Sequence, residues 1–350
     1  MPDNSQQVIL SRRRLLVASA AVAAGGIIGA LAPSEVRAAA GKKVGFLVPD
    51  YDQLRWKNGD QRFFEEEAKR LGLIAFAQSS NGSESTQANQ VDNLLTQGVD
   101  VLVITPVNVD AAAGLVAKAK AQNVPVIAYN FLIDNADIAG FVGRENVQVG
   151  IDLAKASLAA KPKGNYALYF GDEGTSVARE KAKGNLDTLK PYVDKGDIKI
   201  VAQQFVRQWS TDLGRSLMEN ALTKSNNNIA AVVASNDGIA YGVIQALESQ
   251  GLAGKVYVTG EDAEYQALQL IRDGKLGVTS FTPFNDMGIQ AARAAALLAA
   301  GKPFPGTKKI NNKQGDVPFL PVAAFNVDKS NLKDFAHKYP WWANPSALKL

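Results

Sequence analysis

From Lys43 onward, short runs of β-branched and other apolar residues alternate with longer stretches whose apolar positions recur every three or four residues. The short runs fall at 44–48, 74–78, 101–105, 126–129 and 138–142, then at 166–170, 198–205, 231–235, 256–259 and 278–281, and each predicts a strand. Runs such as Val101-Leu102-Val103-Ile104 are apolar without alternation, which predicts strands covered on both faces. Segments at 64–69, 91–95, 111–119 and 218–222 carry the helical spacing. The order of elements predicts an α/β fold of two doubly wound parallel-sheet lobes. No Ser/Gly/Pro-rich linker divides the two series, so the chain is expected to cross between lobes at strand ends, near Gly143 and near Thr282-Pro283. The Pro/Gly/Lys-rich stretch 301–315 is expected to supply a third crossing or a surface excursion, followed by a last strand at 322–327. The lobes are then 41–143 plus 283–310 and 144–282 plus 311–334, joined by a three-crossing hinge. A tail, 335–350, carries Tyr339-Pro340-Trp341-Trp342.

The first forty residues break this pattern. Ser11-Arg12-Arg13-Arg14-Leu15-Leu16 precedes an Ala/Gly/Val/Ile-rich run that ends at Arg37-Ala38-Ala39-Ala40. A basic head, an apolar middle and an A-x-A site together read as a secretory signal, and the paired arginines make it a twin-arginine signal cleaved near Ala40. Its removal takes Arg12, Arg13, Arg14, Arg37, Asp3 and Glu35, and lowers the net charge from +4 to +2. A nearly neutral exported chain calls for no nucleic-acid partner. With no cysteine, a lipid anchor is excluded, and a freely diffusing periplasmic protein is expected.

Candidate chemistry narrows the picture further. One histidine and no cysteine leave little for zinc, iron-sulfur or triad chemistry, and no calcium loop is present, so neither metal nor cofactor is expected. The G-x-G-x-x-G, P-loop, G-x-S-x-G and H-E-x-x-H spacings are absent, and no enzyme activity is expected. Polar and aromatic residues nevertheless follow the strands closely: Tyr51, Arg55, Trp56, Asn130, Phe131, Trp209, Asn236 and Asp262. Rings for C–H faces, amides, a guanidinium and a carboxylate suit a polyhydroxylated ligand. Asn236-Asp237-Gly238 and Glu261-Asp262 read equally well as helix N-caps.

Several stretches are more specific than composition: Arg55-Trp56, the run from Gln78 to Gln87, Gly98 to Ile104, Leu189-Lys190-Pro191-Tyr192-Val193-Asp194, and Met218 to Lys255. In these the chain resembles the sugar-binding proteins of bacterial ABC importers, in the ribose/galactose-type cluster and most of all its xylose-binding members. The resemblance implies a sugar enclosed between two lobes, with the closed form delivered to an inner-membrane ABC permease with its ATPase. A monomer is expected, with a chemoreceptor-coupled sugar sensor as the alternative role. Arg55, Trp209, Asn236 and Asp262 match the family's ligand contacts. Where xylose-binding members carry an Asp-Arg pair, this chain has Asn130-Phe131; Thr175 and Val177 replace an Asp and an Asn, and Thr282 replaces a hinge lysine. Since each lost buried partner costs about 1–3 kcal/mol, the pocket is expected to be less polar and to take another small sugar or polyol, with D-xylose itself as the alternative. A sugar-responsive repressor would need a helix-turn-helix before Lys43, where the export signal stands. A secreted oxidoreductase would need a cofactor fingerprint.

Overall fold

The computed structural model describes Gly29 and residues 31–349, so the paired arginines read as an export signal lie outside the described residues. The first sheet contains β1 (Lys43–Val48), β2 (Ile74–Ser79), β3 (Val101–Ile104), β4 (Val126–Tyr129) and β5 (Gly140–Gly143). The second contains β6 (Gly164–Phe170), β7 (Ile198–Phe205), β8 (Ala231–Ala234), β9 (Tyr257–Glu261) and β10 (Val278–Phe281). The chain then returns to the first sheet as β11 (Lys308–Asn311) and β12 (Asp316–Pro321), and ends in the second as β13 (Phe325–Asp328).

The first sheet runs β11-β12-β5-β4-β3-β1-β2 and the second β13-β10-β9-β8-β6-β7. Pairing is parallel except at β11 with β12 and at β10 with β13. Period-two geometry sends neighbouring side chains to opposite faces, and continuous apolar runs therefore feed two cores per sheet. Val101 and Val103 join Phe46, Phe64 and Tyr129 on one face, while Leu102 and Ile104 join Leu47 and Leu94 on the other. In the second sheet Tyr169 and Ala167 face one cluster, and Tyr166, Leu168 and Phe170 the other.

The first two passages between the sheets follow β5 and β10. The third differs: β12 pairs with β5, from Phe319 opposite Phe141 to Pro321 opposite Gly143, so residues 308–321 belong to the first sheet. The chain crosses only at 322–324, and the expected boundary at 310 moves beyond Pro321. The expected last strand at 322–327 is β13, starting three residues later at Phe325. The excursion read as a loop because its strands are short, mostly exposed along β11, and interrupted by Pro318.

Helices Asn146–Ala160 and Ser176–Asp194 cross in close contact, where a Cβ on Gly150 would lie 2.2 Å from the Lys181 carbonyl and one on Gly184 2.2 Å from that of Val147. This approach sets the depth of Lys181, whose side chain points back toward the strand ends. The tail forms helices Leu332–Lys338, Pro340–Ala343 and Pro345–Leu348. Leu332, Phe335, Tyr339, Ala343 and Leu348 complete the second lobe's core, and Trp341 stands 4.7 Å from the Phe63 ring of the first.

Candidate functional site

The strand ends of the two sheets face each other across a cleft. On the first-lobe side Arg55 opens a π-helix, Trp56–Gln61. A π-helix hydrogen-bonds five residues along, which stacks Asp60 over Arg55. The pair is bidentate, Nε to Oδ2 and Nη2 to Oδ1 at 3.0 Å each, and the Tyr129 hydroxyl donates to Oδ1 at 2.5 Å. The guanidinium lies between the rings of Trp56, at 4.4 Å, and Phe284, at 4.2 Å. Burial opposes its charge, but Asp60, with Asp262 and Tyr129 behind it, outweighs burial and raises the Arg55 pKa. Asn130 leaves β4 with φ 59°, and its Oδ1 accepts from Arg144 Nη1 at 3.0 Å. Phe131 meets Trp56 edge to face at 6.2 Å.

The second-lobe side is built from the turns after β7, β8 and β9 and from the helix Ser176–Asp194. Asn236 caps helix Asp237–Ser249, its Oδ1 accepting from the Ile239 amide at 2.9 Å, which keeps the side-chain NH2 for the cleft. The cap and ligand readings of this residue are therefore compatible. Trp209 ends the turn Arg207–Trp209 with φ 55°, and Gly171 makes room for it: a Cβ there would lie 2.0 Å from the indole. Lys181 Nζ lies 4.6 Å from the Trp209 ring, donates to the Ser235 carbonyl at 2.7 Å and pairs with Glu261. Glu261 also pairs with Arg144 Nε at 2.9 Å. Burial works against both charges here; Arg144 and Lys181 hold the Glu261 carboxyl below the usual range, while the Lys181 pKa is lowered. Asp262, at φ 104°, reaches Arg55 Nη1 only at 3.6 Å. Burial and the neighbouring Glu261 charge push its pKa up. Strained backbone of this kind persists where surrounding contacts over-determine it, and three cleft residues show it: Asn130, Trp209 and Asp262.

Arg55, Trp56, Asn130, Phe131, Trp209, Asn236 and Asp262 line the cavity together. Thr175 and Thr282 stand outside its lining. The Thr175 hydroxyl is used locally, donating to the Asp172 carbonyl at 2.8 Å and accepting from the Ala178 amide at 3.2 Å as a helix cap. Thr282 is buried with its hydroxyl unpartnered. Tyr51 instead donates to Gln61 at 2.6 Å. Sequence reasoning missed Gln53, Arg144 and Lys181 as lining residues, and left Glu261 open between ligand contact and helix cap. Arg144 follows the first crossing directly and Glu261 ends a strand, and those positions were the available signals. Lys181, in a helix interior, gave none. With Arg144 and Lys181 present, the cleft is not the less polar pocket the replaced positions suggested.

The enclosed space is about 20 Å³, room for a single water molecule. A sugar ring enters only when the walls move apart. A larger groove of about 550 Å³, bounded by Lys57, Gln61, Glu65, Tyr265 and Trp341, lies beside it. Its charged side chains are mostly exposed, whereas the smaller cavity gathers buried donors and acceptors from both lobes, and it is the candidate site.

Two doubly wound lobes that enclose such a cavity between their strand ends define a two-lobed ligand-binding protein. The chain belongs to the periplasmic binding protein domain family, which matches residues 44–303. It is similar to the D-xylose-binding periplasmic protein of Escherichia coli K12, with 40% identity over 83% of this chain and 88% of that one. It is 31% identical to the xylitol-binding protein of Mycolicibacterium smegmatis, over 68% of this chain and 67% of the relative. Among solved structures, an ABC transporter solute-binding protein from Clostridium phytofermentans with bound β-D-glucose superposes with a TM-score of 0.78. It shares 27% identity over 86% of this chain and 98% of that chain.

Proposed function

We propose that this chain captures a small sugar or polyol between its lobes in the periplasm and delivers it to an inner-membrane ABC permease with its ATPase. The observation that carries this reading is the convergence of the Arg55 guanidinium, the Asn130 and Asn236 amides and the Asp262 carboxylate between the Trp56 and Trp209 indoles. Each hydroxyl of such a ligand donates and accepts, and its C–H faces stack on rings. The names of the relatives support a pentose or its polyol. Because contacts come from both sheets, occupancy favours the state in which the lobes are together, and the hinge is the three passages between them. No catalytic step is needed: Lys181 and Glu261 neutralise each other. The protein works as a monomer, after loss of residues 1–40.

D-xylose is the second reading, favoured by the 40% identity to its E. coli binder. Asn130-Phe131 and Val177 favour a different sugar or polyol. A thermal-shift panel of pentoses, hexoses, deoxy sugars and polyols on residues 41–350 separates them. A ligand at 100 times its Kd adds about 2.7 kcal/mol, a plain rise in Tm. A hit with xylose alone selects the second reading, and no hit at all overturns the carbohydrate reading.

A further inference from the structure

The aromatic tail reaches the cleft from behind. Trp342 lies in helix Pro340–Ala343, and its indole Nε1–H donates to two backbone carbonyls, those of Asp262 at 3.1 Å and Ala263 at 2.7 Å. Both residues have positive φ, 104° and 50°, which side chains with a Cβ rarely adopt. The amides of this loop are engaged elsewhere: Asp262 donates to the Ser280 carbonyl at 2.8 Å, Ala263 to Thr279 Oγ1 at 3.1 Å and Glu264 to Asp237 Oδ2 at 2.9 Å. The indole thus completes a loop otherwise tied through its N–H groups. Its ring also stands edge-on to Phe284 at 5.3 Å, the ring that carries the Arg55 guanidinium. The tail is held firmly: Tyr339, Ala343 and Leu348 are buried, and Arg272 Nη1 donates to the Leu348 carbonyl at 2.8 Å.

We propose that Trp342, which does not line the cavity, is a positioning residue for ligand capture: its N–H holds the strained turn that aims the Asp262 carboxylate, and its ring backs the Arg55 platform. This rests on Asp262 being a ligand contact. A strained backbone relaxes when the contact that over-determines it is removed, and the carboxylate then turns away from its receptive orientation.

The test is a double-mutant cycle on the full mature chain, read by calorimetry with D-xylose and xylitol as probes. Trp342→Phe keeps an aromatic ring and removes the N–H. It should weaken binding roughly tenfold in the native background and leave an Asp262→Ala background unchanged, because the two act through one interaction. An equal loss in both backgrounds assigns Trp342 to packing alone and overturns the proposal, as does no loss in the native background. If Asp262→Ala itself binds normally, the site reading fails and the positioning role with it. A second measurement needs neither ligand nor variant: in ¹⁵N–¹H spectra the Trp342 indole proton should resist solvent exchange like a core amide, and exchange at the rate of an exposed indole overturns the proposal. If neither probe binds, the amide shifts of Asp262 and Ala263 decide. They should move in Trp342→Phe and hold in Trp341→Phe, and unmoved shifts overturn the proposal.

Discussion

The two walls of the cleft hold similar charged groups in opposite states of satisfaction. On the first-lobe wall, Asp60 receives two hydrogen bonds from Arg55 and one from Tyr129, so the ion pair is complete within its own lobe. On the second-lobe wall, Glu261 is matched by Arg144 and Lys181, but among the described residues the adjacent Asp262 has only the Arg55 group at 3.6 Å, beyond hydrogen-bond reach. A saturated pair makes a stiff surface against which a ligand is pressed. An under-satisfied carboxylate makes the surface that gains most when hydroxyls arrive.

The largest effect that tests this contrast is Asp60→Asn. It leaves the Arg55 charge buried with its main partner gone, and denaturant unfolding should show a loss of about 3–5 kcal/mol. A loss below about 1 kcal/mol would mean that Asp262 moves over to replace Asp60 and that the walls are not distinct. Next, Asp262→Asn should weaken ligand binding by about 1–3 kcal/mol by calorimetry. Its Tm should hold or rise. The folded-state pKa of Asp262 lies above its unfolded value, so its charge penalises folding as pH rises through that pKa, and a neutral amide removes the penalty at pH 7. A falling Tm would place Asp262 with the structural pairs. Smaller again, Gly171→Ala pushes on the Trp209 indole, and loss of the stacking face should cost about 1 kcal/mol of affinity with the charged groups untouched. Smallest is the pH response. Affinity should decline on acidification while the pH is still above the ordinary aspartate range, and Asp262→Asn should flatten that slope.

Much of the fold was written in local pattern. Continuous apolar runs such as 101–104 have one stable use, a strand covered on both faces, and the lobes and first two crossings follow. The strands at 308–311 and 316–321 were hidden because their pairing is decided by distant partners, Phe141 to Gly143, and not by their own hydrophobicity. At the site, residues that directly follow strands were legible, since α/β sheets place ligands there. Lys181 was not. It reaches the cleft through a helix contact at Gly150 and Gly184, and its partner Glu261 is brought by another strand. Thr175 was expected from resemblance alone, and a helix start claimed its hydroxyl.

The return of β11 and β12 to the first sheet also constrains the order in which the molecule is made. A growing chain can finish the second lobe's β6 to β10 while the first still exposes the free flank of β5, because β12 is synthesised only afterwards. Nor is the second lobe sealed by then, since β13 must still pair with β10 and the tail helices must still complete its core. Until about the last forty residues are made, each lobe offers an unpaired strand flank to any neighbour, which is where misassembly of a slowly closing sheet begins.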